Sequence, residues 1–526
     1  MFSSTEFLPL SLSPLVRDYL AGTPALESFH TGIPSLEGIL ASASNRTFTA
    51  SQRNLLVHTL RKQYQNLPVA EPVSRNIELL LQEKVFTVTA GHQLCLATGP
   101  LFVIYKILSA IRLCAQISEA DCTVKMVPVL WLATEDHDFE EVNHVYVQGK
   151  KIEWQHDSGD AIGHLDNVGL QEAIEQLITS FPNVPMRQIV EDMLRRSSAE
   201  MRYADGFRMI IHELFSSFGL LMMDGDDAAL KASFAPYMRR ELFEEIGNQY
   251  VSKTSSDLTA RGYPAQVNPR SINLFYLSEG KRRRIEKNAL GKWAIVDSAI
   301  SFTSEELNLL LENSPQSFSP NVIIRPLYQE WVLPNLAFVG GPGELSYWLQ
   351  LHTLFAAMSI PFPILVLRDS VLLLHNRTRQ RMAKIPLSVS ELTRDRALLI
   401  RALADESGLS DLEQEKTSLT QIFESIASKA KAIDATLEGT AKAELQKQLT
   451  ALDQFSKRMM KASKQKEELR IGQLEKILDE LFPEGGPQER HDNFFDHAIR
   501  AGKWFHEDLI DLFNPLDARL KVLTFE

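Results

Sequence analysis

The sequence predicts an α/β fold with a parallel sheet at its core and inserted modules, followed by a long antiparallel α-helical hairpin of coiled-coil type. Three observations carry this prediction. A strand, a helix and a second strand follow one another between residues 85 and 133, and residues 361–367 read as a further apolar strand. From about residue 388, apolar positions step by three and four through sequence otherwise rich in Lys, Glu and Gln.

Residues 1–80 read as a polar, mostly helical lead-in, with 54–65 a short amphipathic helix. Residues 85–89 are a β-rich apolar run, followed by the turn that holds Gly91. Thr98-Gly99-Pro100 then opens an apolar helix to about Gln116, with proline suited to a first helical turn. The second strand, 127–133, runs into the charged loop 134–143. Strand, helix and strand at this spacing form a βαβ unit, which requires parallel strands with helices on the faces. Ligands of such sheets bind outside the carboxyl ends of the strands, where the polar loops 89–99 and 134–144 both fall.

The stretch 150–320 is more mixed. Residues 220–223 read as a buried strand with 224–226 as its exit loop. Residues 272–277, the turn 278–280 and 282–285 suggest a β-hairpin, so an inserted antiparallel module is expected here. The basic run Lys281-Arg-Arg-Arg284 reads as a solvated edge strand. Core character returns at 321–325, and 361–367 is the last parallel strand, ending in Arg368-Asp369-Ser370.

In the C-terminal part, Leu419, Ile422, Ile426, Ala430, Ile433 and Leu437 form one apolar seam of a long helix. Gly439-Thr440 interrupts it, and it resumes at Leu445, Leu449, Leu452, Phe455 and Met459, then at Leu474, Ile477, Leu478 and Leu481. Two helices joined by a short turn explain the pattern, and the Pro- and Gly-rich stretch 483–487 stops it. Met222-Met223 and Met459-Met460 read as core residues. Phe494, Phe495, Trp504, Phe505 and Phe513 make the tail too aromatic for a free end, so it is expected to pack back on the core. The expected division is a core over 1–385 with inserts at roughly 150–320, a hairpin over 386–485 and the returning segment 486–526.

Composition narrows the function classes. A chain of 526 residues exceeds what one hydrophobic core usually supports, and 44% hydrophobic with 23% charged residues is the make-up of an ordinary folded protein. A net charge of −12 argues against a nucleic-acid binder, which needs a concentrated basic surface. Cys95, Cys114 and Cys122 make neither a disulfide framework nor a CxxC zinc site. The first twenty residues lack the basic start and apolar block of a signal peptide, and apolar runs such as 364–367 and 101–104 are too short to cross a bilayer. The expected setting is a reducing cytoplasm, with no membrane partner.

Three segments could carry chemistry. The densest is Glu135-Asp-His-Asp-Phe-Glu-Glu-Val-Asn-His144, at the mouth of a strand. Its carboxylates could hold Mg²⁺ for a nucleotide, and His137 or His144 could move a proton or steady a phosphate. The plainer reading is a solvated helix start whose acidic residues favour the helix dipole. The second segment, 91–100, has Gly91 and Gly99, which would let backbone N–H groups approach an anion, and Lys106 lies one to two turns down the helix. A plain tight turn explains the same glycines, and His92 reads equally as a packing residue. In the third, Arg325 at a strand end is a natural clamp for a carboxylate or phosphate. Gly340, Gly341 and Gly343 around Pro342 form a backbone-rich loop feeding an apolar helix at 345–358, and Glu344 in its first turn is either catalytic or a cap.

Together these segments resemble the cysteine ligase family of bacillithiol biosynthesis, BshC. The match rests on Thr89-Ala-Gly-His-Gln93 with Thr98-Gly-Pro-Leu101, on Val129 to Asn143 and above all Glu135-Asp-His-Asp-Phe-Glu-Glu141, and on Phe318-Ser-Pro-Asn321, Arg325-Pro326 and Gly340-Gly-Pro342. The helical hairpin and its stop at Leu481-Phe-Pro483 also agree, so the resemblance covers most of the chain. It implies a Rossmann-like core related to class I aminoacyl-tRNA synthetases, with connecting inserts and a coiled coil that makes a homodimer. The implied reaction joins the carboxyl group of cysteine to the amine of glucosaminyl-malate. The chain departs from those synthetases in lacking their His-Ile-Gly-His and Lys-Met-Ser-Lys-Ser signatures; the loop 91–99 and Arg368-Asp369-Ser370 stand in their places.

An amine does not displace the oxygen of a carboxylate, so the acid must first be activated as an acyl-adenylate or acyl-phosphate. ATP and Mg²⁺ are the expected cofactors, and no metal site is assigned. Asp136, His137, Asp138 and His144 are the candidate catalytic residues. Gly91, His92, Gln93, Thr98, Gly99, Lys106, Glu135, Asn143, Arg325, Gly340, Gly341, Glu344, Arg368 and Ser370 are the candidates for binding nucleotide or substrate. Within these sets, Gly91, Gln93, Thr98 and Gly99 would line the nucleotide or activated acyl group, and Arg325 would hold the malate carboxylate. The alternatives are a metal-dependent hydrolase of an amide or sugar derivative, and a non-catalytic coiled-coil scaffold.

Overall fold

The computed structural model describes residues 2–157, 160–385, 387–393, 395–404 and 412–525. The chain forms two compact units, Met1–Leu372 with Glu489–Leu523 and Leu373–Gln488 with Thr524–Glu526.

The first unit is built on five strands: β1 (Val85–His92), β2 (Lys125–Leu132), β3 (Leu221–Asp224), β4 (Asn335–Gly340) and β5 (Ile364–Leu367). They run parallel in the order β5-β4-β1-β2-β3, the expected parallel core. Val85, Phe86, Val88, Val127 and Val129 are all buried, because helices cover both faces of a parallel sheet and leave no solvated side. Helix α1 (Leu101–Ala120) connects β1 to β2, and α2 (Pro342–Met358) connects β4 to β5. Phe338 of β4 stacks on Trp348 of α2, with ring centroids 4.3 Å apart.

From β1 the chain adds β2 and β3 on one side, then β4 and β5 on the other. Strand order therefore reverses between β1 and β4, where Ala90 stands opposite Val339. At such a reversal the connections leave in opposite directions and open a crevice at the carboxyl ends of the strands.

By length and composition α1 could cross a membrane, but 72% of its apolar stretch is buried in this unit, the surroundings of a core helix. The lead-in is mostly helical, though it opens with a strand, Phe2–Pro9. The amphipathic helix expected at 54–65 runs from Ala50 to Tyr64, because Thr49 and Gln52 form a capping box that starts it earlier.

The inserted antiparallel module is present. Leu274–Ser278 and Lys281–Lys287 pair as a hairpin inside a five-stranded sheet that also holds Trp293–Ile295, Ser301–Phe302 and Phe318–Pro320. The strand Lys281–Lys287 is inside the sheet by stretches: residues 281–284 pair with Leu274–Ser278 and residues 285–287 with Trp293–Ile295, and Ile285 is buried. The run 281–284 thus has one paired strand neighbour, as expected of an edge; what is corrected is its full solvation, since Arg282 is largely buried. The tail packs against the first unit, with Phe494, Phe495, Phe505 and Phe513 at most 2% exposed.

In the second unit, α3 (Glu413–Ile433) and α4 (Leu437–Leu481) lie side by side. Lys431 pairs with Glu438 near the turn and Lys416 with Asp453 farther out, so the helices run antiparallel. The turn falls at residues 434–436, where the Asp434 carboxylate accepts from the Thr436 N–H and hydroxyl, and Gly439-Thr440 lie inside α4. An Asx turn is a stronger stop here than a single glycine, which a long helix tolerates. Leu474, Ile477, Leu478 and Leu481 are buried, whereas Ile422, Ile426, Ile433, Leu437 and Phe455 are exposed. Met222 and Met223 are core residues; Met459 is only half-buried, and the side chain of Met460 lies outside the described residues.

Candidate active site

The crevice between β1 and β4 holds a cavity of about 700 Å³. Ten of the eighteen candidate catalytic and binding residues face it, Gly91, His92, Gln93, Lys106, Glu135, Asp136, Arg325, Gly341, Glu344 and Arg368, and Gly343 joins them. They reach it from the carboxyl ends of four parallel strands, β1, β2, β4 and β5, from the helices after β1 and β4, and from the helix that Arg325 opens.

Beside β1, the Lys106 ammonium donates to the Gly91 carbonyl at 2.9 Å and pairs with Glu344 Oε2 at 2.6 Å. Burial pulls the Lys106 pKa below its usual value, and Glu344 opposes that pull. For Glu344, burial works the other way, but Lys106 and the Gly341 N–H, which donates to Oε2 at 2.8 Å, hold its carboxyl low. Glu344 thus caps α2 and also answers a buried cation. His92 lies against Phe102, 5.2 Å between centroids, and burial together with Lys106 depresses its pKa to about 4. It is a neutral ring at physiological pH.

The acidic side is ordered by one amide. Gln93 Nε2 donates to Asp136 Oδ2 at 2.7 Å and to Glu141 Oε2 at 2.8 Å. Asp136 Oδ1 accepts from the N–H groups of His137 and Asp138, a local turn that presents the carboxylate to the cavity. Glu135 is answered from behind by the buried Lys231, whose ammonium reaches Glu135 Oε1 and Asp226 Oδ1, each at 2.6 Å.

The cationic side contains Arg282, which the edge-strand reading had set in solvent. Its side chain is only 8% exposed. It donates to Ser319 Oγ at 2.9 Å and the Pro320 carbonyl at 2.8 Å, lies over Phe275 and comes within 4.0 Å of Asp136. It also donates to His137 Nδ1 at 3.1 Å, which requires that nitrogen to be unprotonated. Burial and then Arg282 lower the His137 pKa. Side chains alternate along a strand, so a run of three arginines had to send at least one to each face; that was the available signal. Arg325 opens the helix Arg325–Val332 instead of ending a strand, a correction that leaves its guanidinium in the cavity, bonded to Gln329 Oε1 at 3.0 Å and the Tyr347 hydroxyl at 3.2 Å. Tyr347, and Arg490 from the returning tail, were not legible in the sequence.

Arg368 is held by Glu489 at 2.7 Å, again from the tail, and lies over the Phe102 ring. Ser370 bonds to both Arg368 and Glu489 behind the cavity.

The remaining candidates face elsewhere. Thr98 and Gly99 turn away, correcting the expected anion loop: the Ala97 and Gly99 carbonyls accept from Asn493 Nδ2, each at 2.8 Å, and the Leu101 N–H donates to the Asp492 carbonyl. Ala97, Thr98 and Gly99 all have positive φ, and a Cβ on Gly99 would meet Cys95 Cβ at 2.5 Å, so this glycine serves the turn. Gly340 ends β4, where a Cβ would meet Phe338 at 2.8 Å. Asn143 bonds to Glu153 and the Trp154 carbonyl, His144 bonds to Asn143, and Asp138 is exposed at the start of the short helix Phe139–Val142.

Comparison with known proteins agrees with this architecture. Residues 3–369 match the N-terminal Rossmann-like domain of bacillithiol biosynthesis BshC, and residues 371–525 match its C-terminal coiled-coil domain. A Flavobacterium johnsoniae protein named "Putative cysteine ligase BshC" is 37% identical over 527 residues, covering 97% of each chain. Proteins of the same name from Cytophaga hutchinsonii and Anoxybacillus flavithermus are 34% and 29% identical, covering 98% and 96% of this chain and 97% of their own. A five-stranded parallel sheet with a crevice at its point of reversal, a separate unit built on a helical hairpin, and two domain models that span nearly the whole sequence make this chain a member of the BshC family of bacillithiol biosynthesis.

Proposed function

We propose that this chain is a ligase that forms an amide between the carboxyl group of cysteine and the amine of glucosaminyl-malate. The observation that carries the reading is one cavity lined both by carboxylates, Asp136 and Glu141, and by guanidinium groups, Arg282, Arg325 and Arg368. Such a cavity suits a substrate pair that brings an ammonium group and a dicarboxylate together. The names of the relatives support the same chemistry.

Asp136, oriented by Gln93 and by two backbone N–H groups, receives the cysteine ammonium or takes the proton released when the acceptor amine attacks. His137, next to Asp136 and with its pKa lowered by burial and Arg282, would serve as a second base once its Nδ1 is released from Arg282. Arg325 binds the malate carboxylate, for which a guanidinium offers a paired donor geometry.

The carboxyl group of cysteine needs activation, which ATP supplies when bound. A cavity of about 700 Å³ with arginines in its lining accommodates a nucleotide in size and charge. Among the described residues no three His, Cys, Asp or Glu side chains converge as a metal cage. Mg²⁺ would therefore arrive with the phosphates and use one or two carboxylates, its usual manner. A metal-dependent hydrolase would need the cage. The exposed seam of α3 and α4 supports a homodimer through the coiled coil, and the family's biosynthetic role supports a cytoplasmic enzyme.

The test is mass spectrometry of purified protein incubated with cysteine, glucosaminyl-malate, ATP and Mg²⁺, omitting each in turn. Bacillithiol forming only in the complete mixture is the expected result, and the nucleotide product names the activated species. Absence of product from folded protein in the complete mixture would overturn the reading.

A further inference from the structure

Beneath the proposed carboxylate clamp lies a buried carboxyl group that this chemistry does not use. Arg325 Nη1 donates to Gln329 Oε1 at 3.0 Å, and the same amide turns its nitrogen inward to Glu330 Oε1, also at 3.0 Å. Gln329 and Glu330 are 0% and 1% exposed. Glu330 Oε1 accepts a second bond from Asn335 Nδ2 at 2.9 Å, and Asn335 Oδ1 accepts from the hydroxyls of Thr87 and Thr89 on β1. Among the described residues Glu330 Oε2 has no hydrogen-bond partner. A chain of side chains therefore leads from the cavity into the interior at the point where strand order reverses.

A guanidinium only donates and an ionised carboxylate only accepts, so the Gln329 amide has one orientation that satisfies both neighbours. Among the described residues the charged groups facing Glu330 are Arg46, after the helix Leu36–Asn45, and Arg325 on its own helix; β4 and β1 present Asn335 and the two threonines. Arg46 donates to the backbone carbonyls of Glu330 and Leu333, and among the described residues the carboxylate has no direct ion pair. Burial, opposed first by Arg46, raises the Glu330 pKa to about 7.

Resting on the reading of Arg325 as the clamp, we propose that Glu330 is a positioning residue that takes up a proton when an anion binds at Arg325, so that pH sets the affinity for the acceptor. A ligand carboxylate and Glu330 are like charges that share one cation in a poorly screened site. Binding of the ligand raises the proton affinity of Glu330, and by reciprocity protonated Glu330 favours the ligand. The neutral acid still accepts from Gln329 and Asn335 through its carbonyl oxygen, so Arg325 stays aimed. Affinity falls as pH rises through neutrality, by on the order of tenfold.

The experiment is calorimetry of the full chain with glucosaminyl-malate, and separately with L-malate, at about pH 6 and about pH 8 in buffers of different ionisation enthalpy. Wild type is expected to bind more weakly at the higher pH and to take up protons on binding. Glu330→Gln is expected to bind without uptake and with the same affinity at both pH values. Infrared difference spectra of wild type with and without L-malate give a readout that does not depend on a variant folding: a buried carboxylic acid band appears on binding. Affinity independent of pH, uptake that persists in folded Glu330→Gln, or no such band would overturn the proposal. If L-malate binds with uptake and glucosaminyl-malate does not bind, the acceptor assignment fails while the coupling stands. If neither anion binds, both fail.

Discussion

Lys106 and Glu344 meet at 2.6 Å across the point where strand order reverses, one on the helix after β1 and the other in the first turn of the helix after β4. The pair ties the two halves of the parallel sheet together at the mouth of the cavity. Removing one partner leaves a buried charge without an answer, a larger loss than removing both. Lys106→Met or Glu344→Leu is expected to lower stability by about 3 kcal/mol, and the double variant Lys106→Met/Glu344→Leu by less than either. Urea unfolding of the four proteins measures this; an additive double variant would rule out the coupling.

Arg325 offers two guanidinium nitrogens to the cavity, steadied by Gln329 and Tyr347. Lysine keeps the charge but loses the paired geometry. Arg325→Lys is expected to raise KM for glucosaminyl-malate by roughly tenfold with a smaller change in kcat, and Arg325→Ala by roughly a hundredfold. An unchanged KM in both would take Arg325 out of the acceptor site.

Asp136 is the carboxylate that Gln93 and the local turn aim into the cavity. Asp136→Asn is expected to cut product formation by about a hundredfold, and His137→Ala to do the same, with circular dichroism unchanged. Wild-type rates in both variants would move the proton chemistry elsewhere.

His92 and His506 are buried as neutral rings, each depressed from 6.5 to about 4. Above pH 6.5 neither folded nor unfolded chain protonates them, and they add no pH dependence. As pH falls from 6.5 towards 4 the unfolded chain takes up protons that the folded chain refuses, so stability declines by on the order of 2–3 kcal/mol per ring. His92→Gln and His506→Gln should flatten this decline in urea midpoints measured across that window; the same slope as wild type in both would contradict it.

Ile422, Ile426, Ile433, Leu437 and Phe455 leave apolar surface open along the hairpin. A chain lacking residues 410–482 is expected to be monomeric by light scattering, and Ile422→Glu/Ile426→Glu to shift the full chain towards monomer. A dimer that survives both changes would place the interface on the other unit.

The sequence by itself determined the parts of this protein that repeat locally. The βαβ unit at 85–133, the hairpin at 274–287 and the two long helices follow from apolar spacing and turn residues within short windows. It also marked Gly91, Gln93, Asp136 and Glu344 because they cluster at strand ends, and the fold then fixes on which side of the sheet such ends lie. Tertiary structure alone decided which of several similar residues faces the cavity. Arg282 enters and its neighbours do not, because its pairing opposite Leu277 sets the register of that strand and Ser319 and Pro320 hold its guanidinium. Thr98 and Gly99 face away because Asp492 and Asn493, nearly four hundred residues on, cover the start of α1 and satisfy the backbone that an anion would otherwise meet. Glu489 and Arg490 come from the same tail, and no local pattern marks a residue whose role depends on a distant strand end. Local periodicity sets the elements; burial and hydrogen-bond satisfaction between distant segments set the site.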